Sequence, residues 1–263
     1  MTGYKRKRVG SNKRSYVRRP TKKRKVRFAG KAGIQRVVAK MMNRNIETKE
    51  SQRRGKTLQA IKHNNVTLML DSDSNVLNPF YISQGSTDEM SFNNGNRVGD
   101  QISLKGMTIK FLLENPIDRC NTHYRIMLLR GAKGETFDRS TIFKNDSANK
   151  LLDVINTERF TVIAQKIVQV KVSAGTGNAV GLTGIPGNII NGGIASKYVS
   201  MWIPGSKFAR GGNIQYENSS ASQVKFFDYR ILVFCYDWFG TPQDVNTVGN
   251  VNEVLTKLYF KDA

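Results

Sequence analysis

Between Lys5 and Arg27 the chain carries thirteen lysines and arginines, and no aspartate or glutamate occurs before Glu47. So dense a run of one sign buries too little apolar surface to offset its ordering entropy, so it does not fold by itself. What it is suited to meet is phosphate. Of the 42 Lys and Arg, 21 fall in residues 1–56 against two acids, so that stretch holds +19 of the formal +22. Residues 57–263, with 21 basic and 18 acidic side chains, carry only +3. A basic enzyme or a groove-type nucleic-acid binder spreads its charge through the folded part. Here the excess is local. The chain is therefore read as a basic arm over residues 1–56 and one near-neutral domain over residues 57–263.

Nucleic-acid contact is expected from Lys5, Arg6, Lys7, Arg8, Lys13, Arg14, Arg18, Arg19, Lys22, Lys23, Arg24, Lys25 and Arg27, and further on from Lys31, Arg36, Lys40 and Arg44. Tyr4, Tyr16 and Phe28 interleave these cations and offer rings on which unpaired bases could stack. Within the arm, Pro20-Thr21-Lys22-Lys23-Arg24-Lys25-Val26 is similar to short nuclear import signals of the PKKKRKV type. With Lys5-Arg6-Lys7-Arg8 upstream it also fits a two-cluster signal, so host importin is an expected partner. Any dense basic tail matches such patterns at some rate, and the same charges can serve both roles in turn. From Ile34 to Ile46 the apolar residues Ile34, Val37, Val38, Met41, Met42 and Ile46 fall at helical spacing, which predicts a short basic amphipathic helix. The polar stretch Glu47–Lys56 then reads as a linker.

From Leu58 the period changes to two. Strands are expected over Val66–Leu70, Phe80–Ile82, Ile102–Leu113, Tyr124–Leu129, Arg159–Val172, Tyr198–Ile203, Val224–Tyr236 and the closing Tyr259-Phe260. Asn93-Asn94-Gly95 has hairpin-turn chemistry. Asp71-Ser72-Asp73-Ser74-Asn75 imitates a calcium loop but has Val76 where the glycine belongs and Ile82 in place of the bidentate glutamate, so it reads as a turn. A short helix is possible around Ser147–Ile155. About eight alternating strands joined by long Gly/Asn/Ser loops predict an all-β fold, a single antiparallel eight-stranded jelly roll. A body of this length can bury a sizeable core unaided.

The remaining sequence signals exclude more than they assign. Cys120 and Cys235 are too few for a disulfide framework and read as buried thiols in a reducing compartment. The charged N-terminus with no apolar segment behind it predicts no signal peptide, and no run of 18 apolar residues predicts no membrane span. His63 and His123 lack a second histidine at metal-ligand spacing, and neither belongs to a paired-histidine nuclease motif. The glycines from Gly175 to Gly181 do not form a dinucleotide fingerprint, and Gly131-Ala132-Lys133-Gly134 lacks the spacing of a P-loop. The sequons at Asn65, Asn145 and Asn218 mean little without secretion. No catalytic residue, metal or cofactor is expected.

At this point the chain resembles a family, the capsid proteins of small circular single-stranded DNA viruses of the circovirus and geminivirus-like group. The arm with its import signal is one shared feature. Arg97-Val98-Gly99-Asp100-Gln101-Ile102-Ser103-Leu104-Lys105-Gly106-Met107-Thr108-Ile109-Lys110-Phe111 looks like the family's early strand pair. Arg159-Phe160-Thr161-Val162-Ile163 and Trp202-Ile203-Pro204-Gly205-Ser206-Lys207 are similar to later strands, and Lys257-Leu258-Tyr259-Phe260-Lys261-Asp262 to the closing one. The likeness spans the arm and most of the body. It implies a T=1 shell of sixty subunits around circular single-stranded DNA, with the protein located in the virion and the host nucleus. Sixty such arms would bring on the order of a thousand cations, matched to roughly a kilobase of single strand. A Cys/His cluster near the arm, found in geminivirus coat proteins, is missing, which puts a zinc-assisted contact in doubt. Two alternatives remain at this stage. One is a cellular or RNA-virus nucleic-acid-binding structural protein with a basic tail; the other is an enzyme with a basic targeting tail.

Overall fold

Alternation over Ile102–Leu113, with one extra residue at Lys105, puts Ile102, Leu104, Met107, Ile109, Phe111 and Leu113 on one face, and all six are buried in the computed structural model of the chain. The structure describes residues 47–85, 95–116, 119, 121–145, 149–171, 195–218, 223–237 and 247–263, together with Gly33 and Gln35, which are α-helical. The chain divides into two units, Met1–Asn45 and Ile46–Ala263. Except at Gln35, the helix expected over 34–46 lies outside the described residues, as do Cys120, the 93–94 turn positions and the glycine-rich span.

Ten strands are found among the described residues: β1 (Lys49–Arg54), β2 (Gln59–Lys62), β3 (Thr67–Leu68), β4 (Gln101–Glu114), β5 (Asn121–Ala132), β6 (Phe160–Lys171), β7 (Ser196–Pro204), β8 (Asn213–Gln215), β9 (Phe227–Asp237) and β10 (Thr247–Asp262). One sheet runs β1-β10-β4-β7, with β2 also paired to β10 and β8 to β4; the other runs β3-β9-β5-β6. Every strand pair is antiparallel. The fold is thus all-β and antiparallel, as the alternation predicts. Its main core lies between the sheets, where Phe111, Val254, Leu258 and Ile203 of the first meet Tyr124, Ile126, Val233 and Val168 of the second. Each such side chain contributes about 1.5–3 kcal/mol by leaving water.

Central strand β5 is buried on both faces because a second, smaller core sits behind it. There Met127 and Leu129 pack with Phe137, Ile142, Phe143, Ile155, Phe160 and Phe234 under the β5–β6 connection. That connection holds helix α1 (Arg139–Ile142), capped by Asp138 in a reciprocal box with Thr141. The four-stranded sheet is therefore covered on both sides. No comparable apolar cluster lies over the outer face of the six-stranded sheet among the described residues.

Several expectations are corrected. The linker over Glu47–Lys56 holds strand β1, whose six residues offer only Ser51 to the interior and so carry no apolar signal. Phe80–Ile82 is not a strand. Asn78 Oδ1 accepts from Phe80 N (2.9 Å) to turn the chain, and Phe80 fills the core from that turn, its ring 4.6 Å from that of Tyr229. The described part of the helix expected at Ser147–Ile155, residues 149–155, forms turns and a bridge; the short helix falls earlier, at α1. The closing Tyr259-Phe260 is the end of a sixteen-residue strand. The Asp71 segment is a turn as expected, with Asp71 Oδ1 accepting from Asp73 N and Asn75 N, both at 3.0 Å.

Candidate nucleic-acid interface

All the arm cations named above, from Lys5 to Arg44, and the import-signal residues through Val26 lie outside the described residues, so the candidate surface is built from the body. Its frame is the β10-β4-β7 register. Lys257 faces Thr108 and Thr108 faces Trp202; Leu255 faces Lys110 and Lys110 faces Ser200; Glu253 faces Leu112 and Leu112 faces Tyr198. Paired residues share a side of a sheet. Because the neighbours Met107, Ile109, Phe111 and Leu113 are buried, these rows point away from the core. A register shift opposite Tyr259/Phe260 adds Lys105 to β4, exposed, next to the row of Tyr259 and Gly106.

Two aromatics on this face are left open: Trp202 is 55% and Tyr198 60% exposed. The Trp202 and Tyr259 rings stand 5.7 Å apart at 53°. A Cβ on Gly106 would collide with the Trp202 ring at Cη2 and Cζ2, so the indole leans across β4 at the one position without a side chain. Trp202, Tyr259, Lys105, Thr108 and Thr48 line an open hollow of about 740 Å³. Further along the same strands a second hollow of about 310 Å³ includes Tyr198, Lys110, Arg54 and Leu255 in its lining.

Charge on the face is mostly positive. Lys257 Nζ sits 2.6 Å from Glu50 Oε1, and that hydrogen bond holds the Glu50 carboxyl below the usual carboxylate range and the Lys257 amine above the usual lysine value. Arg54 lies a loose 3.8 Å from Glu253. Lys105, which is exposed, and Lys110, which is half-buried, form no ion pair with any described residue. Rings with unpaired cations beside them suit stacked bases with their phosphates.

The sequence offered His63 no partner; the fold brings Asp237 Oδ1 to 3.2 Å of its Nδ1, with Arg119 3.4 Å from the other Asp237 oxygen, both histidine and aspartate side chains buried. No group of three His, Cys, Asp or Glu that could hold a metal is found among the described residues, and no helix among them is long and apolar enough to cross a membrane. Burial pushes the Cys235 thiol well above its ordinary value, and lowers the His123 imidazole.

Sequence reasoning missed Trp202, Tyr198, Lys105 and Lys110 as a set. The signal available was Tyr198, Ser200 and Trp202 at period two, which places two large aromatics on the polar side of a strand. No protein-family model matches the chain, and no curated protein matches it.

Proposed function

We propose that this chain is a viral coat protein: a single jelly roll that assembles into a small T=1 icosahedral shell and packages circular single-stranded DNA through its basic arm, which also carries a nuclear import signal. The observation that carries the reading is the sheet order. With β1 and β2 taken as one edge position and the three-residue β8 set aside, eight strands remain in chain order. One sheet then reads first-eighth-third-sixth and the other second-seventh-fourth-fifth. First pairs with eighth, second with seventh, third with sixth and fourth with fifth. This pairing supports the jelly-roll reading, in which one long antiparallel ribbon rolls up on itself as a double Greek key, an architecture used by viral capsid domains among others. A near-neutral body of this kind attached to so basic an arm suits a shell subunit better than an enzyme. In this reading the protein is not an enzyme and needs no cofactor; its partners are single-stranded DNA, further copies of itself and host importin, and it resides in the virion and the host nucleus. Negative-stain electron microscopy of the purified protein tests this. Uniform closed shells that retain nuclease-resistant single-stranded DNA are expected. Soluble monomers that bind nucleic acid but never close, at any salt or protein concentration, would return the chain to the class of nucleic-acid-binding proteins with a basic tail.

A further inference from the structure

We infer that the outer face of the six-stranded sheet is itself a binding site for single-stranded nucleic acid, in which an unpaired base stacks on Trp202 beside Tyr259 while Lys105 and Lys110 hold the flanking phosphates. The choice of occupant rests on the reading of the arm as a nucleic-acid binder; the geometry does not. Of the two sheets, only this one leaves its outer side without an apolar cover among the described residues. What it shows instead is a row of chemistry. Trp202 is more than half exposed and is leaned over Gly106, which leaves ring surface open above the sheet. The Tyr259 ring at 5.7 Å and 53° forms a second wall, so a planar group entering the hollow meets one ring face and a second ring's flank. Stacking of this kind tolerates any base, because every base has a π-face.

The cations decide between a nucleic acid and a protein partner. Lys105 lies in the wall of the aromatic hollow, and Lys110 lies in the wall of the second hollow with Tyr198 and Arg54. A buried protein–protein contact is depleted in lysine at its centre. Here Lys110 lies opposite Ser200, between Tyr198 and Trp202, and Lys105 lies just beyond Trp202, the combination that tracks a phosphate backbone. Tyr198 and Trp202 are four residues apart on one strand, about 13 Å at 3.3 Å per residue, so a strand of nucleic acid laid along β7 passes both.

The test separates this face from the arm by removing bases while keeping phosphates. Full-length protein is titrated with a short oligothymidylate and with an abasic oligomer of equal length, at about 0.3 M salt, where phosphate contacts have weakened by orders of magnitude. Wild type is expected to prefer the base-bearing strand. Trp202→Ala should weaken oligothymidylate binding by about five- to hundred-fold and leave abasic binding unchanged, the range of one lost stacking contact. Trp202→Phe should restore most of the preference. Gly106→Val, which keeps the indole but pushes it off β4, should lose part of it, with the far-ultraviolet circular dichroism of each variant confirming the fold. Equal binding of the two oligomers by wild type overturns the inference and leaves the arm reading intact. Loss of shell closure in Trp202→Ala with base preference unchanged also overturns it and makes the face a contact between copies. A flat salt response overturns the arm reading, and the base preference then stands or falls by itself.

Discussion

Lys150 and Asp153 lie 2.6 Å apart with side chains only 1% and 4% exposed. They sit in a closed network. Arg125 donates from one guanidinium nitrogen to the carbonyls of Lys150 (2.6 Å) and Asp153 (2.9 Å), and Lys150 N donates to Asn64 Oδ1 (2.7 Å). Burial lowers the Arg125 pKa, and the Asp153 charge works against that shift. Such a pair fixes the 149–155 turn against β5, but its net worth is small because both charges leave water. Breaking it is another matter, since one charge then stays buried alone. Lys150→Met should cost about 3–5 kcal/mol by urea denaturation, while Lys150→Met with Asp153→Leu should recover most of the loss. An additive double variant would show that the two side chains do not depend on each other. Cys235 offers a second check. Its buried thiol, held well above the usual range, should resist alkylation in a Cys120→Ser chain until the protein is unfolded. Labelling at the native rate of a free thiol would contradict its burial.

Strand β1 is the least apolar edge of the six-stranded sheet, and its attachment to β10 depends on register rather than on hydrophobic mass. Glu50 faces Tyr259 and reaches Lys257 one row away. The carboxyl of Glu50 is lowered on folding, so its contribution is complete above the ordinary carboxylate value near 4.3 and is lost as pH falls through its lowered one. The amine of Lys257 is raised, so its share is complete below about 10.4 and is lost as pH rises through its raised value. Both side chains are about a quarter to a third exposed, which limits the pair to about 0.5 kcal/mol after screening. Glu50→Gln should therefore lower stability by about that much at pH 7, with the difference vanishing in strong acid and in molar salt. A gap that persists under both conditions would assign the loss to packing. The long strands β4, β5, β6, β7 and β9 were legible because each presents a run of alternating or continuous apolar residues. β1 was not, since KESQRR holds no apolar residue and its strand form is imposed by β10. Most of β10 was hidden for a different reason. Its register shifts between Thr247 and Gly249 and again between Val251 and Glu253, so Val248, Val251 and Val254 fall three residues apart before alternation resumes over Val254, Thr256, Leu258 and Phe260. The aromatic face was missed because each of its residues looks ordinary alone; only the pairing of Lys257, Thr108 and Trp202 across three distant strands makes it a surface.

At the scale of the whole chain the charge is divided as the two units are. Residues 1–45 hold 17 lysines and arginines and no acid, whereas residues 46–263 carry a net of only +5. Nothing in the sequence of the arm between Lys5 and Arg27 offers an element to read base edges, so its binding should be electrostatic and blind to sequence. Each phosphate contact releases counterions, and for single strands the slope of log K against log salt is about −0.7 per contact. If roughly ten arm cations engage, the slope for an oligomer in low salt should be near −7, and affinity should fall by thousands between about 50 and 200 mM salt. Replacing Lys22, Lys23, Arg24 and Lys25 together with alanine removes about four contacts and should flatten the slope by about three units, with scrambled and original sequences bound alike. Trp202→Ala should leave that slope where it is, because a stacked base releases no counterion. The two variants thus act on different axes of one titration. An arm variant with an unchanged slope, or a marked preference for one sequence over its scrambled form, would place the dominant contact on a specific surface of the sandwich and remove the arm from genome packaging.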